Sequence, residues 1–133
     1  MRVLIDTVAW VRIENGLILC ARPRGKDVFY VPGGKREGGE SDTETLVREI
    51  KEELTVLLDP RTAVHVGTYE GGGPGLPADT VVRMACYTAE FQGTLAASGE
   101  IEETAWLSYA DRDRVPPVDQ LLFDDLKNAG ELA

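Results

Sequence analysis

Three glutamates stand close together in the middle of the chain, at Glu49, Glu52 and Glu53. Residues three or four positions apart are neighbours on a helix surface, so one helix face would carry all three carboxylates. Like charges at this spacing destabilise a helix by roughly 0.2–0.5 kcal/mol per pair, a conflict that a bound dication would reverse. Ligands that are all oxygen favour magnesium, with manganese as the alternative. The spacing is therefore compatible with a divalent-metal site on this helix face.

Arg48 adjoins these glutamates and has several carboxylates within reach. Glu44 and Glu52 lie four residues away on the same helix, and Glu40 precedes the helix. An arginine can hold a carboxylate in one rotamer, which would keep a metal ligand in place. The same charges also fit a solvated helix face, stabilised slightly by i,i+4 pairs. The charge run by itself leaves both interpretations open.

The helix that would carry these groups has a clear start and a clear apolar face. Ser41 and Glu44 match a capping box, so the helix is predicted to begin near Asp42, where acidic residues complement the helix dipole. Its apolar residues recur three, four and seven positions apart, which predicts a face buried against a sheet. They are Leu46, Val47, Ile50 and Leu54.

The remaining elements are predicted from alternation and turn residues. Asn15-Gly16 favours a tight hairpin between the first two strands. Pro32-Gly33-Gly34 is expected to end the third strand, and the Gly- and Pro-rich stretch from Glu70 to Asp79 to be a loop. The closing helix is predicted over Pro117 to Asn128, with Gly130 just past its end. The strands are predicted at Ile5–Glu14, Leu17–Arg22, Val28–Val31, Ala63–Tyr69, Thr80–Phe91 and Thr104–Leu107.

Length and composition limit the classes of protein to consider. A chain of 133 residues that is 43% hydrophobic suits a single domain over residues 1–133. The net charge of −9 argues against a nucleic-acid polymer as partner, because such surfaces depend on clustered Lys and Arg. Cys20 and Cys86 lie in apolar stretches without metal-ligand spacing and are expected to be buried hydrophobes.

The N-terminal residues do not have the pattern of an export signal. Met1 to Glu14 alternates apolar and polar residues and lacks a basic start and a small-residue cleavage site. The chain has no apolar run of 18 residues that would cross a membrane. We therefore expect a soluble cytoplasmic protein without a membrane partner. The antiparallel opening strand could pair across a homodimer, although nothing in the sequence demands it.

The spacing of these residues resembles the signature of the Nudix hydrolase family (MutT-like). Gly34, five residues, Glu40, seven residues and then the run Arg48 to Val56 match it at almost every specified position. The Pro-Gly-Gly before it and the glutamate-rich segment ending in Trp106 are similar too. The resemblance implies an α/β fold, with a central mixed β-sheet flanked by helices in an α-β-α sandwich.

One position departs from the signature. Thr55 stands where the family usually has glycine, just beyond the helix. Glycine suits a left-handed exit from a helix, whereas a β-branched residue is strained there. We therefore expect the chain to avoid the left-handed conformation and to run directly into an extended strand at Val56. The metal site does not depend on this residue, because Thr55 carries no ligand.

The resemblance also implies roles for individual residues. Glu52 and Glu53 would bind Mg²⁺, or Mn²⁺ in its place, and Glu49 would bind metal or activate water. The backbone carbonyl of Gly34 would complete the coordination. Glu40 and Arg48 would support these ligands.

A general base would come from outside the signature, as is common in the family. Glu100, Glu102 and Glu103 precede Trp106, in a segment similar to the one that supplies such a base; we favour Glu100, then Glu103. A solvated acidic loop is the alternative.

Substrate contacts are predicted from charge and aromatic character. Arg22, Arg24 and Lys35 could approach phosphate oxygens, although surface solubility explains them equally well. His65 has no second imidazole with which to form a metal cluster, so it is expected to be structural or exposed. The candidates for stacking on a base are Phe29, Tyr30, Tyr69 and Trp10, most of which also suit a core.

The implied function is Mg²⁺-dependent hydrolysis of a diphosphate linkage in a nucleoside diphosphate derivative, such as a nucleoside triphosphate. A nucleotide-binding or regulatory domain that has lost hydrolysis is the alternative, and the four retained glutamates speak against it. A prenyl diphosphate isomerase is a third hypothesis, disfavoured by the short chain and the lack of an obvious catalytic cysteine. The loop from Gly71 to Pro77 would suit a mobile lid over the substrate or an ordinary long connection.

Overall fold

The computed structural model describes residues 2–73 and 75–133. Within these residues, nine strands and two helices follow one another, with short 3₁₀ helices at Pro60–Thr62 and Tyr109–Arg114. The strands are β1 Val3–Trp10, β2 Ile13–Glu14, β3 Leu17–Pro23, β4 Gly33–Lys35, β5 Leu57–Leu58, β6 Val64–Gly71, β7 Thr80–Thr88, β8 Phe91–Gln92 and β9 Ile101–Leu107. The helices are α1 Asp42–Leu54 and α2 Pro117–Asn128.

The largest sheet is mixed and has the strand order β4-β1-β7-β6. Strands β1 and β7 run parallel, with Thr7 beside Met84, while the β4–β1 and β7–β6 pairs are antiparallel. A smaller antiparallel sheet has the order β2-β3-β9, and β5 pairs with β8. The central mixed sheet that the family resemblance implies is confirmed.

Strand β1 shows why helices cover both faces of the large sheet. Its side chains alternate, because successive residues of a strand point to opposite faces. Val8 and Trp10 belong to one buried cluster and Ala9 to another. The first cluster includes Leu46, Ile50 and Leu54 of α1, and the second includes Val118, Leu122, Phe123 and Leu126 of α2. The predicted α-β-α arrangement is confirmed.

Helix α1 begins as predicted. The Ser41 hydroxyl accepts a hydrogen bond from the Glu44 amide at 3.2 Å, and the Glu44 carboxylate accepts one from the Ser41 amide at 2.9 Å. Both bonds of the capping box are therefore present. Leu46, Ile50 and Leu54 are fully buried and Val47 packs beside them, so the opposite face is left for the glutamates.

The hairpin prediction is confirmed, but the first predicted strand is divided. Asn15 and Gly16 both have positive φ, at 53° and 77°, as a tight hairpin turn requires. The chain leaves the large sheet after Trp10 and joins the small one at Ile13, which pairs with Ile18. Alternation alone did not reveal this change of sheet, because the pattern continues through it.

The prediction around Pro32 was wrong in two respects. Only Tyr30 of the stretch Val28–Val31 pairs with a strand, through an isolated bridge to Ala21. Gly33 and Gly34 do not end a strand but form most of β4. Gly33 has a φ of 152°, at which a side chain would collide with the backbone of Val8, so the pairing of β4 with β1 requires glycine here.

The exit from α1 also differs from the prediction. Thr55 does adopt the left-handed conformation, with φ 64° and ψ 14°. Its amide donates to the Lys51 carbonyl at 3.2 Å and its hydroxyl to the Thr94 carbonyl at 2.9 Å. These two bonds hold a β-branched residue in a conformation that costs L-residues about 1–2 kcal/mol.

Two substitutions at Thr55 test this conformation. Thr55→Gly and Thr55→Ala both lose the hydroxyl, so their difference reports the backbone alone. We expect Thr55→Gly to be the more stable by about 1 kcal/mol, because glycine has no left-handed penalty. Urea unfolding followed by circular dichroism measures the difference. The reverse order, with alanine more stable, would show that position 55 is not left-handed.

The other elements largely follow the prediction. Helix α2 has the predicted bounds, and Gly130 follows it with a positive φ. Strand β9 begins at Ile101, three residues before the predicted Thr104. Cys20 and Cys86 are buried free thiols, as expected. None of the described helices has the length and apolar character needed to cross a membrane.

Candidate active site

The carboxylate row, which we define as Glu49, Glu52 and Glu53, lies on the last turns of α1, on the side away from the apolar stripe. The members differ in exposure. The side chain of Glu49 is 16% exposed and that of Glu52 is 61% exposed, and Glu53 is half-buried. The row therefore runs from a largely buried carboxylate to one that is open to solvent.

Strand β4 lies directly against this row. The Gly33 amide donates to Glu53 Oε1 at 3.2 Å. At Gly34 an added side chain would run into the Glu49 carboxylate. The lack of a side chain at the second glycine thus lets the backbone of β4 lie close to the row, which agrees with the residue type expected at this position.

Arg48 connects the row to the loop before the helix. Its Nε and Nη2 atoms donate to the two oxygens of Glu40 at 2.8 and 2.9 Å, and its Nη1 donates to Glu49 Oε1 at 2.8 Å. The Lys35 carbonyl accepts a further bond at 3.2 Å. The bidentate pair with Arg48 lowers the pKa of Glu40 to about 2. Of the three carboxylates predicted to lie within reach of Arg48, namely Glu40, Glu44 and Glu52, Glu40 is its main partner.

Burial and neighbouring charge both disfavour an ionised Glu53. The pKa of Glu53 is raised to about 8, mainly by burial. The hydrogen bond from the Gly33 amide lowers this pKa, whereas the negative charges of Glu49, Glu100 and Glu52 raise it. Burial also raises the pKa of Glu49. A cation in this position would reverse both effects, so the oxygen-only donors fit a divalent ion.

The ligands are not pre-assembled around a single point. Within residues 2–73 and 75–133, no three Asp, Glu, His or Cys side chains are grouped closely enough to hold a metal ion. Glu49 is turned toward Arg48 and Glu53 toward the Gly33 amide, while Glu52 extends into solvent. Metal binding would therefore need side-chain rotation, most easily by the exposed Glu52.

A cavity of about 440 Å³ opens beside the row and extends between the sheets to α2. Its lining includes Glu53 and Glu100, together with Gly33, Gly34 and Lys35. Tyr30, Val118 and Asp119 line it as well. The volume is in the range of pockets that bind small molecules. We call it the main cavity.

Asp119 is the site residue that sequence reasoning missed. It is only 3% exposed, and its Oδ2 accepts a hydrogen bond from the Val31 amide at 2.9 Å. Burial raises its pKa to about 7. A signal was present in the sequence, because Asp119 lies one residue after Val118 and three before Leu122, on the buried face of α2. An acidic residue on the apolar face of a helix is costly to bury, so its presence there indicates a hydrogen-bonding or functional role in the core.

The other candidates divide into those that line the main cavity and those that do not. Glu100, Lys35 and Tyr30 line it. Arg22 is paired with Glu103 at 2.8 Å and Arg24 with Glu102 at 3.3 Å, all at the surface of the small sheet.

Three aromatic candidates for base stacking belong to the core instead. Trp10 and Phe29 are buried, and the Arg114 guanidinium lies over the Phe29 ring at 4.7 Å. The Tyr69 hydroxyl donates to Asp125 at 2.7 Å. His65 is exposed on β6 and bonded to Thr68, in agreement with the expectation of a structural or exposed role.

Comparison with known proteins decides the family. The model of the NUDIX domain matches residues 4–126, nearly the whole chain. The chain belongs to the Nudix family. Proteins of this family use divalent metal ions and act on small nucleotide substrates, and this Nudix protein is a pyrophosphohydrolase. The hypothesis of a domain without hydrolytic activity is therefore set aside.

Named relatives agree with this assignment. The chain is 32% identical over 110 residues to the CTP pyrophosphohydrolase of Escherichia coli K12, covering 79% of this chain and 76% of the relative. The solution structure of the E. coli ORF135 protein superposes with a TM-score of 0.75 at 27% identity, over 96% of this Nudix chain and 94% of that one. The MutT protein of Methanosarcina mazei Go1 has the same fold, with a TM-score of 0.73 at 20% identity over 97% and 96% of the two chains.

Proposed function

We propose that this protein hydrolyses a nucleoside triphosphate, with cytidine triphosphate preferred, to the monophosphate and pyrophosphate in a Mg²⁺-dependent reaction. The observation that carries the proposal is the position of Glu53, which belongs to the carboxylate row and also lines the main cavity. A nucleotide in that cavity would bring its phosphates to the row. The proposal treats residues 1–133 as one catalytic unit.

The carboxylates of Glu49, Glu52 and Glu53 and the carbonyl of Gly34 would hold the metal. When bound, the ion neutralises the phosphate oxygens and lowers the pKa of a water molecule. Arg48 keeps Glu49 in place while Glu40 holds Arg48 from the other side. The protein's own part is thus to fix oxygen donors and phosphates in one place, which accounts for much of catalysis in phosphoryl transfer.

Glu100 would accept the proton of the attacking water. It lines the main cavity and lies near enough to Glu53 for its charge to raise the pKa of that carboxyl group. Glu103 is the weaker candidate, since it is bound to Arg22 on the small sheet. Lys35 is exposed at the cavity beside Gly34 and would attract the phosphates by its charge.

Asp119 would read the base. The main cavity extends from Glu53 to Asp119, and a nucleotide whose phosphates lie at the row would extend its base toward α2. An ionised carboxylate accepts from the exocyclic amino group of cytosine but repels the carbonyl that uracil has in its place. The name of the E. coli relative, a CTP pyrophosphohydrolase, supports the same preference.

The substitution Asp119→Asn tests this base contact. The amide oxygen can still accept from Val31, and the new amino group can donate to uracil. We expect the ratio of kcat/KM for CTP over UTP to fall about tenfold or more at pH 8. In the wild type the ratio should also shrink as pH falls below about 7, the pKa of Asp119, because the protonated carboxyl can donate. A ratio that is the same in both proteins and at both pH values would remove Asp119 from the base site.

A substrate panel tests the proposal as a whole. Purified protein is incubated with Mg²⁺ and with nucleoside triphosphates, nucleotide sugars or dinucleoside polyphosphates, and the products are separated by ion-exchange chromatography. We expect CTP to give CMP and pyrophosphate. Reaction in ¹⁸O-labelled water locates the attacked phosphorus by mass spectrometry. Turnover of a nucleotide sugar alone, or release of inorganic phosphate, would contradict the proposed substrate or bond.

A further inference from the structure

Arg36 ties the start of the signature loop to the large sheet and to helix α1. It is the first residue after β4, and its amide donates to the Asp6 carbonyl at 3.1 Å. Its Nη2 atom lies 3.2 Å from Asp6 Oδ2 on β1 and 2.6 Å from Asp42 Oδ1, on the first residue of α1. One guanidinium group therefore bridges a strand and the beginning of the helix.

Asp42 is held from a second direction by β7. The Tyr87 hydroxyl donates to Asp42 Oδ2 at 2.6 Å, and this bond is the largest cause that raises the pKa of Tyr87 to about 12. The two oxygens of Asp42 thus have separate partners, Arg36 and Tyr87. Because these partners come from different parts of the sheet region, they fix the N-terminal end of α1 against it.

This bridge is not the arrangement that stability alone would favour. Arg36 Nε and Asp6 Oδ1 are buried and make no hydrogen bond within the described part of the chain. A bidentate Arg36–Asp6 pair would satisfy both atoms. A buried polar atom left unpaired costs about 1–3 kcal/mol, so an arrangement that leaves two of them unpaired is not explained by hydrogen bonding alone.

The position of the loop supplies that explanation. The loop begins at Gly34, which lies against Glu49, and leads to Glu40, which holds Arg48. The contact of Gly34 with Glu49 and the bond of Glu40 to Arg48 therefore both depend on how the loop is placed relative to α1. Arg36 is not among the residues that line the main cavity, and both its charged partners are carboxylates, so it has no direct route to the phosphates.

We infer that Arg36 is a positioning residue for metal binding: by joining Asp6 to Asp42 it fixes how β4 lies against α1, and with it the distance from Gly34 to the carboxylate row. This inference rests on the proposed metal site. The residue acts through the backbone of the loop and through helix α1, and it does not contact the metal or the substrate.

Titration of the metal-free protein with Mn²⁺, followed by electron paramagnetic resonance of the free ion, measures the effect without turnover. We expect Arg36→Met to raise the Kd for Mn²⁺ about tenfold. This is the lower end of the loss in metal affinity that follows when a residue that orients metal ligands is replaced. Arg36→Lys should recover part of the affinity, because an ammonium group can reach one carboxylate but cannot bridge two as well. In turnover assays, kcat should fall while KM for the nucleotide changes little.

A matched control is available in Arg112, whose exposure is 34% against 32% for Arg36 and which also pairs with an aspartate, Asp124. Arg112→Met should leave the Kd for Mn²⁺ unchanged. Tyr87→Phe removes one hydroxyl from the same network and should raise the Kd by less than Arg36→Met does, a test that remains if Arg36→Met fails to fold.

The outcomes separate the two proposals. Unchanged Mn²⁺ affinity in Arg36→Met and Tyr87→Phe, together with a lower melting temperature, would make Arg36 a brace for the fold and overturn the inference. Equal affinity in the wild type and Glu53→Gln would overturn the metal site itself, and the role of Arg36 with it. Weaker binding in Glu53→Gln and in both network variants, with Arg112→Met unchanged, would support both.

Discussion

Glu53→Gln should reduce kcat by about 10²- to 10³-fold or more, the scale on which one group that stabilises developing charge contributes to catalysis. The substitution keeps the shape of the side chain and its hydrogen bond from the Gly33 amide, but removes a charged metal ligand. Steady-state kinetics with CTP at saturating Mg²⁺ measure the change. Glu131→Gln makes the same chemical change at an exposed residue outside the main cavity and should retain full activity.

The stability of the same variant separates loss of function from loss of fold. The pKa of Glu53 is raised to about 8, so the metal-free wild type should lose stability as pH rises from about 4.5 through 8. Glutamine does not ionise, and metal-free Glu53→Gln should therefore be the more stable protein at pH 8, by a margin on the order of 1–3 kcal/mol. The two should be equally stable near pH 4. Chemical denaturation at the two pH values measures this difference.

Added Mg²⁺ should invert that order. The ion stabilises whichever protein binds it, so the wild type should gain stability at pH 8 while Glu53→Gln gains little. A variant that is both inactive and less stable without metal would indicate a packing role for Glu53 and contradict its assignment as a ligand.

The helix that carries the chemistry was predictable because its signals are local. The capping box at Ser41, the apolar stripe and the glutamate spacing each involve residues within one or two turns of each other. Local hydrogen bonds and a single period determine such an element. For the same reason helix α2 was predicted with its observed bounds.

Features that depend on distant residues were not predictable in this way. Strand β4 pairs with β1 across about 25 residues of sequence, as Val8 and Gly34 do, and the left-handed Thr55 is held by the Thr94 carbonyl, 39 residues away. Asp119 reaches Val31 across 88 residues. Propensity rules cannot supply such partners, and at Thr55 the tertiary contact prevailed over the local preference.

The arginine beside the carboxylate row should matter almost as much as the row itself. We expect Arg48→Met to lower kcat about 10- to 100-fold and to raise the Mg²⁺ concentration needed for half-maximal rate, because residues that orient metal ligands contribute on this scale. Arg48→Lys should recover little, since a single ammonium group cannot bond both oxygens of Glu40 and also Glu49. Magnesium titrations of the steady-state rate measure both effects.

A double-mutant cycle with Glu40→Gln shows whether Glu40 acts through Arg48. Glu40 bonds Arg48 with both carboxylate oxygens, and its Oε1 also accepts from the hydroxyl of Thr45 on α1 at 2.9 Å. If Glu40 acts through Arg48, Glu40→Gln should lower kcat in the wild-type background but not in the Arg48→Met background. The two losses in kcat should then not be additive. Additive losses would mean that Glu40 has a separate role, such as placing the loop through its bond from the Glu37 amide at 3.0 Å. The cycle thus decides whether the signature's first glutamate serves the metal site or the loop before it.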